Sequence, residues 1–209
     1  MLFFDAPLTF REFMTHEELP LSTLFREVLI FLAGRMDAVV FGAHAVNAYC
    51  ETERMTHDVD ILSMEAPVFA ETLRSHLADR FHIAARIRAV AEERGYRIYQ
   101  VRQPKNRHLV DIRQVDILPE SRDIEGVRVV APIALIAMKV IGFAARRNRP
   151  KGDTDRADLR RLLLAFPDLK VEWGEVAARL REMRAPEATL AVWRELATSP
   201  IEPDDDDEY

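Results

Sequence analysis

Two aspartates two residues apart, Asp58 and Asp60 in Arg54-Met-Thr-His-Asp-Val-Asp-Ile-Leu62, offer the most direct chemistry in this sequence. Val59, Ile61 and Leu62 read as a buried strand, and side chains alternate across a strand, so both carboxylates point to one face. Aspartate is common at strand ends and in turns, and an exposed polar face is the plainer account of the pair. Against it, aspartate is depleted from buried strands, and two like charges forced together need compensation. A divalent metal ion supplies that compensation.

His44 and His57 lie close by in sequence but are discounted as ligands. His57 alternates away from Asp58 and Asp60, and a lone histidine in a turn is more often a hydrogen-bonded structural group. The single cysteine, Cys50, excludes an internal disulfide and a cysteine-based zinc cluster within one chain; next to Ala48 and Tyr49 it reads as a packed thiol.

The elements that must position the aspartates follow from periodicity. Leu24, Phe25, Val28, Leu29 and Leu32 form a helical stripe that Ser22 can cap and Gly34 ends. Asp37 to Phe41 reads as a buried strand, Gly42 as a turn, and Ala43 to Tyr49 as a helix, followed by the strand that carries the aspartates. Pro67 to Phe81 is an amphipathic helix, and Ile83 to Arg94 is expected to be a second helix capped by Gly95. Tyr96 to Arg102 and His108 to Val115 alternate with period two and form an antiparallel hairpin; Gly126 to Val130 is a further strand. Pro132 opens a helix that ends in the basic run Arg146 to Lys151. Asp153-Thr154-Asp155 is expected to cap the next helix, Arg156 to Phe166, and Trp173 to Thr198 is helical with a break at Pro186. The residues from 5 to 20 are expected to wrap the surface.

This order predicts an α/β (α+β) fold: a small mixed sheet flanked by helices, then a helical C-terminal lobe. The expected division is 1–130 as a catalytic lobe, 131–200 as a helical lobe completing the cleft, and 201–209 as a disordered acidic tail. The 209 residues, 48% hydrophobic and 31% charged, are ordinary for a globular protein, and no apolar run has the length of a membrane span. The apolar start, Met1 to Phe4, lacks a basic flank and is not read as a signal peptide; the expected location is the cytoplasm. The formal charge of −6 comes from the tail, because setting aside its six acids from the 35 leaves 29 against 29 bases. Arg146, Arg147, Arg149, Lys151, Arg156, Arg160 and Arg161 cluster in that neutral body. They could bind an RNA backbone or form a solvated helix end, and no aromatic residues are interleaved for base stacking.

Gly42-Ala43 after a strand, then Arg54-x-Thr56-x-Asp58-Val-Asp60, then a later strand with Asp between apolar residues, resembles the DNA polymerase β-type nucleotidyltransferase superfamily. The likeness is nearest to the minimal AbiEii/AbiGii-type toxins and spans roughly residues 37 to 165. It implies transfer of a nucleoside monophosphate from a nucleoside triphosphate to an acceptor, tRNA or protein, by a toxin-like enzyme with an antitoxin partner. Asp58 and Asp60 would hold Mg2+, or Mn2+ in its place, across the entering and leaving oxygens. Two alternatives stand beside it: a small-molecule nucleotidyltransferase of the antibiotic-modifying type, and an inactive nucleotidyltransferase-like binding module.

The resemblance also implies a third carboxylate, and Val-Asp-Ile occurs twice, at Asp111 and Asp116. The offset is odd, so the two would face opposite ways in one regular strand. Asp111 lies within the hairpin strand and is the expected metal ligand and catalytic group; Asp116 precedes Leu118-Pro119 and reads as a turn residue. Backbone N–H groups at Gly42 and Ala43 would meet the triphosphate. Family members usually carry serine or glycine where Ala43 stands, which would weaken activity or alter nucleotide choice. Arg54 and Thr56 would shape the site. Lys139, Arg146 and Asp155-x-x-Asp158-Leu159 match its second half: Lys139 would neutralise triphosphate charge, and Asp155 or Asp158 would orient Lys139 or the acceptor.

Overall fold

The structure is a computed structural model and describes residues 19–203. The segment expected to wrap the surface and the acidic tail fall mainly at 5–18 and 204–209, outside the described residues. The described residues divide into two compact units, 19–48 with 52–130 and 49–51 with 131–203.

The first unit runs α1 (Leu21–Leu32), β1 (Ala38–Phe41), α2 (Gly42–Tyr49, its last residue in the second unit), β2 (Val59–Ser63), α3 (Ala66–Phe81) and β3 (Ala85–Val90). It continues with β4 (Gly95–Gln100), β5 (Arg107–Gln114), β6 (Ser121–Ile124) and β7 (Val127–Val130). The strands form one seven-stranded mixed sheet in the order β3-β4-β5-β2-β1-β7-β6. β2 lies parallel to β5, and β1 parallel to β7; the other neighbours are antiparallel. The central strands are short apolar runs with Val39, Val40, Val59, Ile61, Val110 and Ile112 fully buried. The stripe Leu24, Phe25, Val28, Leu29, Leu32 on α1 and Phe69, Leu73, Leu77 on α3 are buried as well. Burying each such side chain contributes roughly 1.5–3 kcal/mol. These two helices cover one face of the sheet, and strand alternation leaves Asp60 and Asp111 on the other.

Residues 83–94 are not a helix. Ala85–Val90 is a strand paired with β4 over six residues, and Ala91, Glu92 and Glu93 turn the chain with φ of 52°, 54° and 65°. Alanine, arginine and glutamate favour helix locally, but an unpaired β4 edge offers a ladder of hydrogen bonds that overrides a weak propensity. β6, a short strand paired only with β7, was not expected from the sequence either.

The second unit contains α4 (Pro132–Arg146), α5 (Pro150–Ala165), a short 3-10 turn (Pro167–Leu169), α6 (Glu175–Glu182) and α7 (Glu187–Thr198). α4 packs on the other three helices, with Leu135, Ile136, Val140, Leu159, Leu162, Leu180 and Trp193 buried. α5 begins at Pro150, six residues earlier than expected, so Asp153 and Asp155 sit inside the helix instead of capping it. Proline is preorganised for a first helical position, which explains the earlier start. Ser22 is likewise inside α1, whose N-cap is Pro20. Among the described residues no helix is long and apolar enough to cross a membrane.

Candidate active site

Adjacent parallel strands bring the first carboxylates together. β2 and β5 pair with Asp60 opposite Asp111, so the two project from the same sheet face, and Asp58 stands immediately before β2. Asp111 is buried, and the Arg97 guanidinium on β4 donates to its carboxylate at 3.2 Å. The approach to Asp58 is held by neutral hydrogen bonds. The Asn47 side chain donates to the Arg54 carbonyl at 2.8 Å and accepts from the Arg54 N–H at 3.2 Å, while the Thr56 hydroxyl donates to the Asp58 carbonyl at 3.1 Å. Arg54 and Thr56 thus shape the aspartate loop through the backbone. Asn47 had no sequence signal beyond its place on α2.

Gly42 adopts φ +70°, and a Cβ there would lie 1.9 Å from Asp60 Oδ2. Glycine at the end of β1 is therefore required twice, by the left-handed backbone and by the carboxylate that fills the missing side chain's space. Ala43 is buried behind this turn.

Sequence reasoning missed His108. It is three residues from Asp111, an odd offset that would put it on the opposite face of a regular strand. The β4–β5 ladder, however, shifts register between Ile98 and Tyr99: Ile98 pairs with Val110, and Tyr99 with His108. Leu109 is the extra residue of this bulge, and the bulge returns His108 to the Asp111 face. Its Nδ1 lies 3.2 Å from Asp58 Oδ2, and its Nε2 is 3.1 Å from the Val110 carbonyl oxygen. One donor atom from each of Asp58, His108 and Asp111 lies within 4.8 Å of the others. Asp60 is outside that set, with its carboxylate over Gly42. Asp116 lies beyond the end of β5 and is exposed.

Two carboxylates and one imidazole are a donor set that fits a divalent cation. His44 does not join them. It is buried, its Nε2 has no hydrogen-bond partner, and its ring meets Phe25 edge-on at 5.3 Å. Burial holds its pKa down to about 4, outweighing the nearby Asp58 charge, which acts in the opposite direction. His57 is exposed.

The same sheet face continues outward from the cluster. Across the ladder Asp111 pairs with Arg97 and Arg97 with Arg88; in the adjacent row His108 pairs with Tyr99 and Tyr99 with Arg86. The Tyr99 ring lies 5.0 Å from that of His108, and the Arg86 guanidinium sits 5.9 Å from the Tyr99 centroid. Arginines and an aromatic ring thus share this face, whereas the run from Arg146 to Arg161 holds no aromatic residue.

In the second unit, α4 and α5 bring Lys139, Arg146, Asp155 and Asp158 into one ion network. Lys139 Nζ donates to Asp158 Oδ2 at 2.5 Å and lies 3.6 Å from Asp155 Oδ1. Arg146 grips Asp155 Oδ2 through Nε at 3.0 Å and Nη2 at 2.6 Å, and Arg161 is 3.7 Å from Asp158. Asp155 and Asp158 are three residues apart on α5 and share its inner face. Asp155 therefore anchors Arg146 from within the helix. Arg147 is also engaged, donating to both Glu195 oxygens at 2.7 and 2.9 Å. Burial raises the Cys50 thiol pKa, with Arg161 lowering it and Asp158 raising it, a setting for an inert thiol.

No protein-family model matches the sequence, and no curated protein sequence matches it. Among solved structures the fold is similar to the crystal structure of the Megavirus polyadenylate synthase, with a TM-score of 0.58, 13% identity and 75% of this chain covered. The chain spans 36% of that protein's length. It is also similar to JHP933 from Helicobacter pylori, with a TM-score of 0.54, 15% identity, and 91% of this chain and 92% of that one covered. At these identities the likeness is one of fold. The mixed α/β architecture expected from the sequence is the one this chain shares with these two proteins.

Proposed function

We propose that this protein is a nucleotidyltransferase that moves a nucleoside monophosphate from a nucleoside triphosphate to a polynucleotide acceptor. The observation that carries the reading is the convergence of Asp58, His108 and Asp111 next to Asp60, whose carboxylate lies over the Gly42 turn, in a fold similar to that of a polyadenylate synthase.

Asp58 and Asp111, with Asp60 beside them, would hold a divalent ion, Mg2+ or Mn2+. When bound, such an ion supplies Lewis-acid stabilisation of charge on the phosphoryl oxygens. The remaining work belongs to the chain's own groups. Backbone N–H groups at Gly42 and Ala43 bind the triphosphate. Asp111 takes the acceptor hydroxyl's proton, and Arg97, bonded to it, sets the direction of its carboxylate. Arg54 and Thr56 fix the loop before Asp58. Lys139 and Arg146, steadied by Asp158 and Asp155, are the cations assigned to triphosphate charge by their match to the AbiEii-type pattern. Lys139, Arg146 and Arg161 against Asp155 and Asp158 leave one net positive charge in that network.

A nucleic-acid acceptor, tRNA in the toxin-like version of this reading, is supported by the row of Arg86, Arg88, Arg97 and Tyr99 on the cluster's own face. Arginines neutralise phosphates and tyrosine offers a stacking surface. The basic run at the end of α4 supports it less, since Arg146 and Arg147 are held by Asp155 and Glu195. An AbiEii/AbiGii-type toxin role in the cytoplasm, with an antitoxin partner, belongs to the same proposal and rests on the sequence pattern.

The test is incubation with Mg2+ or Mn2+, each α-labelled nucleoside triphosphate and total RNA. Label in RNA supports the proposal. Label found only in small molecules favours the antibiotic-modifying alternative, and nucleotide binding without any transfer favours an inactive binding module.

A further inference from the structure

We propose that His108 is a metal ligand through Nδ1, and that it biases the site toward a divalent transition ion, Mn2+ in the first instance, over Mg2+. This deepens the metal assignment within the proposed function and rests on that site, but it concerns binding and not turnover.

Three observations carry it. The first is the bulge at Leu109, which places the imidazole on the carboxylate face where a regular strand would turn it away. The second is the hydrogen bond at Nε2. A carbonyl oxygen only accepts, so at 3.1 Å from the Val110 oxygen Nε2 is the protonated nitrogen, and in the neutral ring the Nδ1 lone pair is left facing Asp58 at 3.2 Å. A backbone carbonyl that fixes the tautomer and orientation in this way is the usual outer-shell partner of a ligating histidine. The third is the charge pattern. A lone pair directed at a carboxylate is repulsive unless a cation stands between them. A proton on Nδ1 would serve Asp58 alone, whereas a divalent ion serves Asp58, Asp111 and the imidazole together, their donor atoms lying within 4.8 Å of one another.

Selectivity follows from ligand chemistry. Mg2+ prefers hard oxygens and retains water, so an imidazole adds little to its binding. First-row transition ions accept imidazole nitrogen more readily than Mg2+ does, and Mn2+, which also takes carboxylate oxygens, is the member of that series nearest to Mg2+.

The experiment uses the full chain with Mn2+ and no nucleotide, read by pulsed electron paramagnetic resonance. Bound Mn2+ should show hyperfine coupling to a directly coordinated 14N nucleus, replaced by the 15N pattern when the histidines are 15N-labelled. His108→Gln should lose that coupling and weaken Mn2+ binding by about tenfold, about 1.4 kcal/mol, while Mg2+ affinity measured by competition stays within about twofold. Circular dichroism of the variant checks its fold. Should His108→Gln not fold, the labelled wild-type chain still decides whether any histidine coordinates, and His44→Phe and His57→Gln, each with coupling unchanged, exclude the two histidines nearest to Asp58 in sequence. Bound Mn2+ without nitrogen coupling would overturn the proposal and leave His108 as an ion-pair partner of Asp58. The two readings fail separately: coupling without nucleotide transfer sinks the enzymatic reading alone, and transfer without coupling sinks the ligand assignment alone.

Discussion

Asp60 Oδ2 occupies the space that a side chain on residue 42 would need, 1.9 Å from the position of its Cβ. The turn and the carboxylate are thus one steric unit, although they come from different strands, β1 ending at Phe41 opposite Asp60. Gly42→Ala should destabilise the protein by about 1–3 kcal/mol, combining the left-handed backbone cost with displacement of Asp60. The clash is separable from the backbone effect: in urea denaturation Gly42→Ala should cost less in an Asp60→Ala background than in the wild type. Equal costs in both backgrounds would show that the carboxylate is not what requires glycine.

Asp58→Ala and Asp60→Ala are each expected to reduce nucleotide transfer by about 10²–10³-fold or more, the scale of losing a principal electrostatic stabiliser. Their denaturation midpoints should not fall, because each removes one of several like charges on a single face. Transfer by the double variant at the wild-type rate would rule out the assignment of the site.

His44 should make stability depend on pH. Its folded-state pKa is about 4 against an ordinary 6.5, so between these values the unfolded chain binds the extra proton. Stability is complete above the unfolded value and is lost as pH falls through this window, by about 2 kcal/mol at pH 5 for this group. His44→Phe, next to Phe25, should flatten the pH 5 to 7 difference measured by urea denaturation. A variant with the same slope as wild type would assign the dependence to other groups.

Asp158 is fully buried and receives Lys139 at 2.5 Å. Asp158→Ala leaves the largely buried lysine charge without its principal partner, in a network that also holds Arg146 and Arg161, and should cost about 3–5 kcal/mol. Replacing both, Lys139→Met with Asp158→Leu, should recover most of that loss. Thermal denaturation of the single and double variants measures the difference, and a mild single variant would mean that Asp155 and Arg161 suffice to hold the network.

Arg86→Glu with Arg88→Glu should weaken binding of single-stranded RNA and reduce the slope of log affinity against log salt by about one for each phosphate no longer neutralised. Tyr99→Ala should weaken binding by about 1–3 kcal/mol with little change in that slope, as expected for stacking. Unchanged binding in both variants would remove this face from the acceptor's path.

Much of the architecture is legible in the chain because its signals are local. The period-two runs at Tyr96 and His108 and the stripe from Leu24 to Leu32 each report which residues face the core, and the apolar core selects those patterns directly. Asp58, Asp60 and the Gly42 turn stand out for the same reason: a charge in an apolar strand and a glycine after one are exceptions that a single segment displays. Residues 83–94 show the limit of such reasoning, since their composition favours a helix and only the open edge of β4 makes them a strand.

The sequence by itself determined the spacing of the two aspartates, the elements from α1 to α3 and the β4–β5 hairpin, and the Lys139 to Asp158 pattern on two consecutive helices. Only the tertiary structure decided that Asp111 stands opposite Asp60, that Asp155 holds Arg146 and does not cap α5, and that His108 joins the carboxylates. These depend on register between strands and on where a helix begins. One extra residue at Leu109 reverses the face of a side chain without leaving a mark in residue type or period, because a bulge is a property of two paired strands and not of either alone.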